Sequence, residues 1–123
     1  MENNIGIEKI GEQLVCINNH DLIVTIVKKG KAEAVLKASK EAGAEGGTVI
    51  YGRGAGIRET STIMGIPVEP EKEIILTIIL KNMTSKVMNA IIEAAKLYKP
   101  GSGVIFALEL KNVAGICHLI ENI

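Results

Sequence analysis

The sequence predicts an α+β fold of the ferredoxin-like kind: two β-α-β units forming a four-stranded antiparallel sheet, with both helices on one face. Two β-branched runs, LIVTIV and EIILTIIL, are each followed by apolar residues at helical spacing and then by a second strand-like run. The halves match in detail, Thr25 answering Thr77 and Gly47 answering Gly103. A chain of 123 residues that is 47% hydrophobic can bury one substantial core, so both units are expected to share it.

Residues 1–20 read as an N-terminal extension and residues 21–123 as the folded domain. LIVTIVKKG, residues 22–30, opens the first unit as a strand, and AEAVLKASKEA continues as a helix with Ala32, Val35, Leu36 and Ser39 on one face and Gly43 as its stop. TVIY is the second strand. EIILTIIL, residues 73–80, opens the second unit; Thr84 stands where it can cap a helix that turns Val87, Met88, Ile91, Ala94 and Ala95 inward. GVIFALEL, residues 103–110, completes the sheet.

The two helix stripes cover one face of this sheet, yet all four strands are nearly continuous apolar runs rather than the alternation of a solvated face. The opposite face therefore needs a cover. A closed cyclic assembly of the same chain is the economical one. The alternative is that IEKIGEQLVCI and VAGICHLI fold across that face.

Composition removes several functions. Lys+Arg and Asp+Glu stand at 14 each, with one Phe, two Tyr and no Trp, so neither a basic field nor a stacking platform exists for nucleic acid. Nothing approaches the roughly 20 apolar residues of a membrane helix, and the first residues lack the basic start and apolar run of a signal peptide. Cys16 and Cys117 are far apart with no clustered histidines, which argues against zinc and for buried reduced thiols in a cytoplasmic protein. His20 and His118 are isolated, so no catalytic pair presents itself and no enzyme or metal site is expected. The runs KKGK, KEAGAE and EPEKE are read as solvated ends and faces.

Two bare stretches remain. GGTVIYGRGAGIRE places Gly52, Gly54 and Gly56 on alternate positions beside Arg53 and Arg58, where the backbone must take positive φ, approach another group such as a phosphate, or root a flexible loop. The loop over residues 52–70 carries an apolar cluster, Ile63, Met64 and Ile66, amid turn-forming and polar residues; it is expected to be mobile and to wait for a partner. The second stretch is KPGSG, residues 99–103: a helix stop with a tight turn, whose amides could also form an anion nest. Neither is a dinucleotide fingerprint or a P-loop, since the glycines leave a strand toward an antiparallel partner and Gly30-Lys31 lacks the upstream glycine.

Over residues 21–110 the chain resembles the PII nitrogen-regulatory signalling family, as a divergent PII-like member. The family's G-M-T-V strand entry is matched by Gly46-Gly47-Thr48-Val49, its G-x-G loop root by Gly52-Arg53-Gly54, and its G-D-G-K turn by Gly101-Ser102-Gly103-Val104. The resemblance implies a homotrimer and a non-enzymatic regulator. It also implies an adenine nucleotide (ATP, ADP or AMP) between subunits, with Thr48 at the base and the Gly52, Arg53, Gly54, Gly101, Ser102 and Gly103 stretch at the phosphates. Residues 52–70 become a T-loop-like effector, with Arg58, Ile63, Met64 and Ile66 meeting a target such as a membrane transporter or an enzyme. Residues 99–103 become a B-loop-like turn.

Departures weaken the ligand part of that picture. Val104 stands where the family has its phosphate-binding lysine, Ala55-Gly56 where it has a glutamine used to sense 2-oxoglutarate, KNVAGICHL lacks the paired arginines, and the loop has no tyrosine. Nucleotide binding is expected to be weak. Two other classes stay open: a trimeric metal-tolerance-like protein that binds no nucleotide, and a small acyl-phosphate hydrolase on the same fold, which would need an arginine held more rigidly than Arg53 in its glycine-rich loop.

Overall fold

A single long strand organises the molecule. In the computed structural model, which describes residues 6–10, 13–56, 62–67 and 69–116, strand β2 runs Gln13–Lys28 and pairs with every long neighbour except β3. The order along the chain is β1 (Gly6–Ile10), β2, α1 (Ala32–Glu41), β3 (Thr48–Arg53), β4 (Thr62–Ile63), β5 (Ile66–Pro67), β6 (Glu71–Leu80), a 3-10 turn (Lys81–Met83), α2 (Thr84–Ala95) and β7 (Gly103–Ala114). The four ferredoxin-like strands lie in the spatial order β3-β6-β2-β7, all antiparallel, as the two-unit pattern requires.

The sheet is longer than predicted. Residues 13–19 continue β2 rather than leading into it, and β1 pairs back on them in the register Ile7 with Cys16 and Lys9 with Leu14. Because β7 occupies one edge of β2 from Val15 to Val27, β1 and β6 share the other edge end to end. A bulge between Ile17 and His20, with Asn18 in the left-handed region at φ 52°, shifts the register of β2 against β7 there. The extension thus lengthens the sheet; the described part does not fold across the open face.

Alternation along the central strands separates two environments. Ile23, Val27, Ile75 and Ile79 join Val35 of α1 and Val87 and Ile91 of α2 in the buried core, with Leu36, Met88 and Ala95 packed against it. Ala94, placed inward by periodicity, is exposed at the end of α2. On the opposite face, register aligns Ile50, Ile74, Ile26 and Val104 in one row, Leu76, Val24 and Phe106 in the next, and Ile78, Leu22 and Leu108 in a third. Exposure rises toward the edges, where Val104 and Leu108 are 53% and 51% accessible.

Neither helix start carries a side-chain cap of its own. α1 has Lys31 at its cap position with no side-chain cap. Its free amides are met from the sheet instead: Gly30 N and Ala32 N donate to Glu73 Oε1 at 2.8 and 2.9 Å, which also sets a carboxylate against the positive end of the helix. Thr84 does not cap α2; it is the first helical residue, and its hydroxyl donates to Asp21 Oδ2 at 2.7 Å, tying the helix to β2. Reduced thiols are likewise not found at Cys16, which is disulfide-bonded. On the β2–β7 ladder Cys16 lies opposite Val113; the chain's other cysteine, Cys117, lies outside the described residues. No helix among the described residues is long and apolar enough to cross a membrane.

Candidate ligand pocket and effector loop

The ends of β3 and β2 and the start of β6 converge at one end of the sheet, and this is where charge collects. A cavity of about 400 Å³ opens there, lined by Lys29, Tyr51, Gly52, Arg53, Glu71 and Lys72. Register explains the grouping, since Gly52 faces Lys72 and Arg53 faces Glu71 across the β3–β6 ladder. Two of these cations hold one carboxylate. Glu71 Oε2 lies 2.8 Å from Lys29 Nζ, and Glu71 Oε1 lies 3.3 Å from Arg53 Nη2. The hydrogen bond from Lys29 and its charge lower the pKa of the Glu71 carboxyl, and the same hydrogen bond with the Glu71 charge raises that of the Lys29 ammonium, so both stay ionised at neutral pH. Glu73, the next acid along β6, is turned to the start of α1.

The same residues fasten the root of the long loop. The backbone Gly54 N donates to Pro70 O at 3.1 Å, and Arg53 Nη1 reaches Glu69 O at 3.5 Å, joining the point where the chain leaves β3 to the point where it returns to β6. Beyond that root, β4 and β5 form a two-residue hairpin in which Ile63 pairs with Ile66. Met64 and Gly65 occupy its turn at φ 51° and 79°, the all-positive pattern of a type I′ turn. Glycine suits this geometry, whereas methionine pays roughly 1 kcal/mol to adopt it. The hairpin holds its apolar side chains outward: Ile63, Met64 and Ile66 are 60%, 97% and 65% exposed.

Of the residues singled out from sequence, Gly52 and Arg53 line the cavity and Gly54 joins the loop root. Neither Gly52 nor Gly54 lies in the left-handed region, so their bareness opens space rather than permitting a turn. Thr48 is at the far end of β3, about 13 Å from Gly52 at strand rise. The 99–103 turn lies at the same end of the sheet but at the opposite edge, β6 and β2 intervening, about 14 Å away at three strand spacings. Within one chain, therefore, the two bare stretches do not meet.

That turn also has a structural explanation. Ser102 N donates to Lys99 O at 3.2 Å, and Gly103 sits at φ 143° where a Cβ would collide with the Ile26 carbonyl oxygen. Glycine there lets β7 begin its pairing with β2. Arg58 and His118 lie outside the described residues. His20 is neither on the surface nor satisfied: it is buried, its Nδ1 has no hydrogen-bond partner, and burial lowers its pKa, an effect that Asp21 partly offsets. Among the described residues no group of three or more His, Cys, Asp and Glu is placed to hold a metal.

Lys29, Tyr51, Glu71 and Lys72 escaped the sequence reading. The three charged residues belong to KKGK and EPEKE, which look like solvated termini until the strand register shows that both runs end beside Arg53. The signal that could have found them is their position flanking the ends of predicted neighbouring strands.

Comparison with known proteins agrees with this architecture. The family model for nitrogen regulatory protein P-II matches residues 20–118. The crystal structure of Arabidopsis thaliana PII bound to citrate superimposes with a TM-score of 0.60 at 26% identity, covering 76% of this chain and 79% of that one. No curated protein matches the chain. The matched span takes in all four ferredoxin-like strands, both helices and the long loop, and the chain belongs to the nitrogen regulatory protein P-II family.

Proposed function

We propose that this protein is a homotrimeric, non-enzymatic signalling regulator that binds a small anionic ligand at the charged end of the sheet and controls a target protein through the loop over residues 52–70. The observation that carries this reading is the cavity lined by Lys29, Arg53 and Lys72 at the very root of that loop. A ligand seated there touches the two strand ends from which the loop departs and to which it returns, so occupancy and loop conformation share the same residues.

Trimer formation supplies what a single chain lacks. The rows of aliphatic side chains on the helix-free face would be covered by neighbouring copies, and the 99–103 turn of one copy could approach the loop root of the next. Adenine nucleotide is the ligand class the family resemblance favours, with Thr48 near the base and the Gly52, Arg53 and Gly54 and Gly101, Ser102 and Gly103 stretches near the phosphates. The citrate named with the Arabidopsis relative points to the same general chemistry, a compact polyanion. With valine at position 104 and no paired arginines, the expected nucleotide affinity is micromolar to millimolar, roughly −4 to −8 kcal/mol.

Thermal shift with ATP, ADP, AMP and citrate tests the ligand, because binding confined to the folded state raises stability by RT ln(1 + [L]/Kd). A rise that grows with ligand concentration is expected for at least one of them; four flat titrations would leave a trimer without a sensor. The effector half is tested by replacing Ile63, Met64 and Ile66 together with serine. Those side chains are already in solvent, so the melting temperature should move little while capture of the target is lost.

A further inference from the structure

We propose that Met64 is an oxidative modification site: a peroxide converts its thioether to the sulfoxide, and the polar product takes away the apolar apex of the loop. The consequence for signalling rests on the effector reading above; the site itself rests on the geometry of the hairpin.

Met64 stands in the first turn position between β4 and β5, at φ 51°, with Gly65 after it at φ 79°. Asparagine or aspartate followed by glycine is what such a turn selects, because those side chains tolerate the left-handed region and hydrogen-bond to the nearby backbone. Methionine brings neither advantage. A flexible apolar side chain is thus held where the backbone geometry disfavours it, and it is the most exposed of the large hydrophobic residues described, at 97%.

The other described methionines are placed differently. Met83 and Met88 are half-buried and pack against the core of Ile23, Val35, Val87 and Ile91, and Met83 Cε takes the space that a Cβ at Gly43 would need. Thiols do not compete for the oxidant, since Cys16 is disulfide-bonded and no free cysteine is found among the described residues. Ile63 and Ile66, which complete the exposed cluster, carry no oxidisable group. Peroxide is therefore directed to the apex of the loop.

The step balances with hydrogen peroxide alone. A sulfur lone pair attacks one peroxide oxygen, the S–O bond forms as the O–O bond breaks, and the departing hydroxide takes the proton left on the transferred oxygen and leaves as water. Sulfur loses two electrons and the peroxide gains them. The sulfoxide is a polar hydrogen-bond acceptor that must be desolvated before it can enter an apolar groove. The fold is untouched, because a side chain this exposed supports no core.

Hydrogen peroxide treatment of the full chain, followed by peptide mass mapping, tests the site. Met64 should gain its oxygen on the order of 10-fold faster than Met83 and Met88, and equal rates at the three would overturn the proposal. Retention on a phenyl column reads the apolar surface. Oxidised wild type should elute earlier than untreated protein and return after methionine sulfoxide reductase with a thiol reductant, the oxygen leaving as water while two thiols become a disulfide. Met64→Leu, carried through the same treatments, should elute at one place throughout. Unchanged elution of the oxidised wild type would also overturn the proposal. For the consequence, the protein that wild type captures and the Ile63, Met64 and Ile66 triple-serine chain does not is identified by mass spectrometry. Its affinity is then measured with each bait before and after oxidation, once the peroxide is removed. Oxidation should weaken binding to wild type roughly 10-fold or more and leave binding to Met64→Leu where it was before treatment. If affinity survives oxidation, the switch is overturned while the effector reading stands. If no protein distinguishes wild type from the triple-serine chain, the effector reading falls and the switch with it, and the modification site is decided by mapping and elution.

Discussion

The two faces of the sheet invert the usual distribution of polarity. Under the helices, where no water reaches, Thr25 and Thr77 are fully buried with hydroxyls that have no hydrogen-bond partner. On the helix-free face, Ile50, Ile78, Val104, Phe106 and Leu108 stand exposed, and the rows that connect them are apolar except for Thr48 at the β3 edge. A monomer adapted to water would have the reverse. The difference teaches that the exposed face is not a solvent face: its side chains are those of an interior, and what they lack is the rest of that interior.

The largest expected effects come from striking each face with a single substitution. Ile91→Ala on α2 removes a fully buried side chain between helix and sheet and should cost about 2 to 5 kcal/mol of stability, read by urea denaturation. Leu108→Glu on the open face removes no intrachain core contact of that kind, yet it places a charge in the middle of the proposed trimer contact and should reduce the mass in light scattering from three chains to one. If Leu108→Glu leaves the assembly intact, the open face is not where copies meet. If it unfolds the chain as Ile91→Ala does, the two faces are not distinct in the way their exposure suggests.

The pattern of two β-α-β units was legible because each strand is a continuous β-branched apolar run, each helix carries one apolar stripe, and that order of elements occurs twice along the chain. What escaped lay between elements. The cap of α1 comes from Glu73, on a strand 41 residues beyond Ala32, and no local rule looks that far. The β1–β2 hairpin fell within residues read only as an extension; in the structure a bulge with Asn18 at positive φ carries the strand through Asn18 and Asn19. The pocket was half legible. Arg53 was singled out for its glycine neighbours, while Lys29, Lys72 and Glu71 looked like surface charge, because their meeting depends on the register of three strands. Charged residues carry no periodic signal of their own, so their grouping becomes visible only when the apolar framework is assembled.

The smallest effect asks whether the polar atoms of the dry face are costly or useful. Thr25 lies opposite Ile75 and Thr77 opposite Ile23, which makes the two threonines diagonal neighbours on the helix-covered face. A buried hydroxyl left without a partner forfeits its hydration, at about 1 to 3 kcal/mol, whereas valine fills nearly the same space with no polar atom. Thr25→Val and Thr77→Val should therefore each stabilise the protein, by roughly 0.5 to 2 kcal/mol in urea denaturation at fixed protein concentration, and the double substitution should give the sum. The concentration must be held constant because the proposed assembly would contribute to apparent stability. A different result would be equally informative. If each single valine destabilises and the double substitution costs less than the sum, the hydroxyls hydrogen-bond to one another across the diagonal, and the face under the helices holds a paired polar contact joining the two halves of the fold.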